Sequence, residues 1–239
     1  MKKYKLTNET IVHFGFTLYR IEALMDFSDV KAGDKGGFVQ SENNLSQLCN
    51  AWVYGNAKVY GNAKVYDNAK VYDNAEVCGN AEVRGNASVL CDAKVYGNAK
   101  VFGNAEVLCD AKVFDNAYVY DNAWVFDNAV VYENANVYGF ANVYENVKVC
   151  GNAKVHGKVE VCGNAKVYKN GDYIVFKNLW SSGRYFTWTR SNNMWKVGCF
   201  YGNGEELIKK AYADSEESGR EYERVVRYVE NILADELNK

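Results

Sequence analysis

Residues 51–170 are twenty consecutive hexapeptides with no insertion: AWVYGN, AKVYGN, AKVYDN and on to AKVYKN. The third residue is Val in every unit, from Val53 to Val167. The first is Ala except at Val147 and Val159. A fixed six-residue period of this kind specifies a parallel β-helix. In a strand, alternate side chains face opposite sides. In the unit at 63–68, Ala63 and Val65 therefore point inward, Lys64 and Tyr66 point outward, and Asp67-Asn68 turns the corner. Asn tolerates the left-handed backbone conformation. Sixteen of the twenty units end in Asn, so this residue is the expected left-handed one. Each edge is about four residues, roughly 13 Å long, and Ala with Val fits so narrow a core. The chain has no Pro, which suits a ladder that needs every backbone N–H.

The repeat divides the 239 residues into three parts: a cap at 1–50, the repeat at 51–170 and a module at 171–239. In the cap, short strands are expected at 3–6 and 16–24, with Asn8 and Gly15 as breaks. Gly33, Gly36 and Gly37 mark turns and close backbone approach. There is no GxxxxGK[ST] signature and no following helical pattern, so the glycines read as structure over the open end of the prism. In the module, the runs YIVFKNLW, RYFTWTR and MWKVGCF read as three antiparallel strands. Residues 205–212 and 220–237 read as helices, the second with one apolar stripe, and 214–217 as their solvated connection. This is a small βββαα unit.

The units resemble the hexapeptide repeat of left-handed β-helices, in which an aliphatic residue is followed four positions later by a small one, as Val65 is by Ala69. The resemblance implies a left-handed helix of about seven coils, three units to each, with equivalent positions eighteen residues apart. The cap adds a narrower likeness. DFSDVKAG at 26–33, GGFV at 36–39, NLS at 44–46 and WVY at 52–54 look like the opening of YdcK-like proteins, bacterial members of the left-handed β-helix superfamily often described as transferases. The overall expectation is a mainly β protein: a single-stranded left-handed parallel β-helix with an N-terminal β cap and a small C-terminal α+β module.

A net charge of −2 gives no case for a nucleic-acid or membrane surface. There is no apolar run of eighteen residues and no signal-like opening, so a soluble, cytoplasmic protein is expected. The seven Cys form no CxxC pair and read as reduced thiols. Cys91 and Cys109, eighteen apart, leave a disulfide or a metal site as the alternative. No other cofactor or metal motif is present.

Three functions follow. The first is a non-catalytic scaffold that binds a protein partner. Uninterrupted repeats suit a surface better than an active site, and Arg with aromatic residues is typical of recognition hot spots. Its candidate contacts are Trp180, Arg184, Tyr185, Trp188, Arg190 and Trp195 in the module, and Tyr118 and Trp124 on the prism. Similar repeats in phages and mobile elements imply a specific version, a counter-defence inhibitor of a host nuclease. The second function is implied by the superfamily: a trimeric acyltransferase using coenzyme A. It needs a general base, for which His156, in AKVHGK, is the candidate. The third is nucleotide binding by stacking on the Arg/Trp sheet. The corner ladders of Tyr and Phe are either internal supports or an interface. A homo-oligomer is compatible with each reading.

Overall fold

A computed structural model describes residues 2–178 and 183–237. The chain divides into two compact units, Met1–Asn170 and Gly171–Lys239.

The first unit is a parallel β-helix of about seven coils. It opens with β1 (Tyr4–His13), β2 (Phe16–Ala23) and β3 (Lys35–Val39). Twenty two-residue strands follow, one per hexapeptide, from β4 (Trp52–Val53) to β23 (Lys166–Val167). Every third repeat strand pairs in parallel, so the strands sort into a ten-, a seven- and a six-stranded sheet, the first of which includes β1–β3. The first and third residues of all twenty units are fully buried. The expected core of Ala and Val is therefore present.

The turn differs from expectation. In every unit but the last, the left-handed residue is the fifth, with φ between +56° and +81°. The fifth residue is often Gly, which adopts this conformation without steric cost. Where it is Asp or Glu, the carboxylate accepts the N–H of the equivalent residue one coil on: Asp67 from Gly85 at 3.1 Å, Asp121 from Gly139 at 3.3 Å, Glu133 from Gly151 at 2.6 Å. That bond offsets a left-handed penalty of about 1–2 kcal/mol. Asn at the sixth position does different work. Its amide donates to the next Asn of the same corner, as in Asn86→Asn104 and Asn104→Asn122, both at 3.0 Å.

Residues 1–50 pack on the first coil. Phe38 and Val39 pair in parallel with Lys58 and Val59, and Leu45 bridges to Val65. A Cβ on Gly37 would stand 2.6 Å from the Ala57 carbonyl oxygen, so only Gly permits this approach. Asn8 is not a break: β1 runs through it, and the register shifts between Leu6 and Thr10 as a β-bulge. Gly15 does turn the hairpin, with Phe14, both at positive φ.

The second unit is a four-stranded antiparallel sheet, β24 (Tyr173–Lys177), β25 (Tyr185–Thr189), β26 (Met194–Val197) and β27 (Phe200–Gly202), with α1 (Gly204–Asp214) and α2 (Glu216–Leu237). One more strand is present than expected, because Gly198, at φ +54°, folds MWKVGCF back on itself as a hairpin. The helices are longer than the sequence indicated. Only Ser215 separates them, and its hydroxyl accepts the Ser218 N–H at 3.1 Å to start α2. Asp214, Glu216 and Glu217 are thus helical.

Candidate functional site

The corner between the six- and seven-stranded sheets carries the longest aromatic stack. Arg84 lies 4.5 Å from the Phe102 ring centre. Phe102, Tyr120, Tyr138 and His156 then stack at 4.9, 4.8 and 5.0 Å. Each is the fourth residue of a unit and each lies one coil below the last, so the coil spacing itself places the rings in contact. Tyr118 meets the Phe102 ring edge-on from the six-stranded sheet at 6.4 Å.

Two further rings make this corner unusual. Trp124 lies on the seven-stranded sheet and is 46% exposed. Its register partner on the next coil is Asn142, two residues after Phe140. Phe140 replaces the Asn expected at the sixth position, is 58% exposed, and lies 5.9 Å from the Lys158 ammonium. Phe has no amide to accept a bond from Asn122, so the amide ladder stops there. The exposed Trp124 and Phe140, beside the half-buried Tyr120–Tyr138 stack, form a ridge on a backbone fixed by ladder bonds such as Trp124→Ala141 at 2.9 Å and Phe140→Gly157 at 3.1 Å. Burial raises the Tyr120 phenol above its ordinary pKa, with the Tyr138 and Asp121 charges adding to it. The hydroxyl is neutral near pH 7 and can donate a hydrogen bond.

The other expected residues lie elsewhere. Trp52 shares the seven-stranded sheet with Trp124, four coils away, but is buried against Tyr4 and Phe27 at 6.0 and 5.3 Å. Trp188 and Trp195 are 1% and 2% exposed and form the core of the second unit with Phe186, Leu207 and Val226. Their burial removes them from any exposed stacking surface. Arg190 is held by Glu236 at 2.7 Å, and the two line a hollow of about 410 Å³ with Trp188, Asn193 and Leu233. The carboxylate there opposes a nucleotide phosphate. Arg184 is exposed and Tyr185 half-buried at the other end of the same strand, where Arg184 lines a second hollow of about 220 Å³ with Lys210 and Asp214. Trp180 lies outside the described residues.

His156 is exposed and ends the stack on Tyr138; among the described residues no loop rises from the coils to build a pocket over it. The other His, His13, has Nε2 buried 3.4 Å from a Glu76 oxygen, without hydrogen-bond geometry. Among the described residues no Cys forms a disulfide, and Cys91 and Cys109 occupy the same turn position on successive coils. Among the described residues no group of three or more His, Cys, Asp or Glu could hold a metal ion, and no helix is long and apolar enough to cross a membrane.

No protein-family model matches this sequence, and no curated protein matches it. The site rests on its own geometry. Tyr118 and Trp124 were legible in the sequence as outward aromatics. Phe140 was missed, although its break with the Asn pattern was visible.

Proposed function

We propose that the protein is a rigid, non-catalytic scaffold that engages a protein partner through the aromatic ridge. The observation that carries this reading is the joint exposure of Trp124 and Phe140 on neighbouring coils. At Phe140 the chain forgoes an amide ladder bond and leaves an apolar ring in water, a choice that costs stability in the free protein. Exposed aromatics on a preorganised surface suit recognition, because little entropy is lost when they are covered.

The likeness of residues 26–33, 36–39 and 44–46 to YdcK-like proteins belongs to this reading as a proposed kinship. A specific form of it is direct inhibition of a host nuclease by a phage or mobile-element protein. That form requires stoichiometric slowing of the nuclease by the purified chain.

The test is affinity capture from host lysate with the wild type and with a Trp124→Ala/Phe140→Asn variant. Asn at 140 restores the repeat pattern, so the variant keeps its fold. The expected result is a partner captured by the wild type and lost from the variant. Equal capture by both removes the ridge as the binding surface. Thermal stabilisation by acyl-CoA, lost in His156→Ala, would favour the transferase instead.

A further inference from the structure

Of the two arginines in the second unit's sheet, Arg190 is held by Glu236. Arg184, just before β25, is exposed and makes no ion pair among the described residues. Its stem lies along the turn between β26 and β27: a Cβ on Gly198 would stand 3.5 Å from Arg184 Cδ and 3.6 Å from its Nε. The side chain thereby forms part of the wall of the hollow of about 220 Å³. The floor of that hollow is apolar. Val197, Leu207 and Ala211 are buried there, and Phe200, the ladder partner of Val197, lines it beside them. Lys210 is exposed at the rim, with its ammonium 5.8 Å from the Phe200 ring centre. Asp214 stands one turn further along α1 and offsets one cation. Two cations and one carboxylate leave the lining with one positive charge in excess.

We infer that this hollow binds a small monocarboxylate with an apolar body, of the class of the short-chain fatty acids. The planar Arg184 guanidinium matches a carboxylate in two parallel hydrogen bonds. The hydrocarbon part covers Val197, Leu207 and the Phe200 ring and leaves water. The size agrees, because drug-sized ligands take about 300–1,000 Å³ and this space is smaller. A second negative charge fits less well. Asp214 lines the hollow and is the last residue of α1, whose carbonyl end is negative. Phosphate and dicarboxylates are therefore disfavoured, and an amine would meet Arg184 and Lys210 as like charges. The site lies wholly in the second unit, so it goes beyond the scaffold reading and is independent of the ridge.

The experiment titrates the full chain with 4-methylpentanoate by calorimetry, alongside acetate, succinate, inorganic phosphate and 3-methylbutylamine. Cys199, exposed on the lining, reports where the acid sits. Its alkylation by iodoacetamide is followed by peptide mass spectrometry with and without the acid, and the exposed Cys49 of the first unit is the control. The expected result is binding of 4-methylpentanoate at least about tenfold tighter than of acetate, with alkylation slowed at Cys199 and unchanged at Cys49. Arg184→Gln weakens that binding about 10- to 100-fold and removes the protection of Cys199. Lys210→Gln weakens it only about two- to fivefold. Both side chains are exposed, so the variants keep their fold, read as an unchanged helical circular-dichroism signal. Trp124→Ala/Phe140→Asn leaves the binding unchanged, so failure of the ridge and failure of this site are told apart. No saturable binding of 4-methylpentanoate below about 10 mM, equal affinity in Arg184→Gln, or no protection of Cys199 by the bound acid would overturn the inference. Tighter binding of phosphate, succinate or the amine would also overturn it.

Discussion

The two units use the same aromatic residues in opposite ways. In the β-helix the inward positions of the repeat hold only Ala and Val, so aromatic side chains go to the corners and faces, where they stack, stand in water or, like Trp52, are covered by residues 1–50. In the second unit Trp188, Trp195 and Phe186 fill the space between sheet and helices. An aromatic residue is thus surface chemistry in a narrow prism and core material in a small α+β unit. The difference comes from geometry. Edges about 13 Å long on three sides enclose too little volume for a ring, whereas one sheet face under two helices leaves a thick layer to fill.

The largest expected effect is Trp188→Ala. Truncating a buried Trp costs about 3–5 kcal/mol, enough to unfold a small unit. Loss of the helical circular-dichroism signal with the β signal retained would show this, and an unchanged helical transition would break the contrast. Next is Ala117→Leu inside the prism. Overpacking there costs about 1–3 kcal/mol, read as a lower denaturant midpoint for the first unit alone. Asp121→Ala comes third, at about 1–2 kcal/mol, because it loses both the bond to Gly139 and the tolerance for positive φ. Asp121→Gly recovers the second part and separates the two.

A smaller effect is pH-dependent. Hydrogen bonds from Lys70 at 2.8 Å and Tyr54 at 2.9 Å tie Asp29 of the cap to the first coils. The Lys70 bond above all, helped by that from Tyr54, holds its carboxyl down to about 2. A carboxyl depressed in the folded state contributes its stability above the unfolded value and loses it as the pH falls. The midpoint of the first unit should therefore drop between about pH 4 and pH 2. Asp29→Asn should flatten that drop. The side chain is half exposed, so screening keeps the effect below about 1 kcal/mol.

Much of the prism was legible because one rule is repeated twenty times. Val at the third position and Ala at the first fixed the inward face, and the period fixed the coil. The turn was misread at Asn because Asn tolerates positive φ, while the Gly, Asp and Cys beside it held the stronger signal. The second unit was less legible. Trp188 and Trp195 stood among the candidate contacts because Trp serves recognition as well as core, but α1 and α2 cover them. Phe140 was overlooked because the sixth position was read for its backbone role alone, and its break in the amide ladder is a side-chain effect.

The account's central claim is that partner recognition belongs to the prism and not to the second unit. Hydroxyl-radical footprinting of the chain, free and bound to its captured partner, tests this side chain by side chain. The account predicts that Trp124 and Phe140 become protected, while the exposed Tyr201 and Tyr228 of the second unit keep their reactivity. Protection of Tyr201 and Tyr228 with Trp124 and Phe140 unchanged would contradict it.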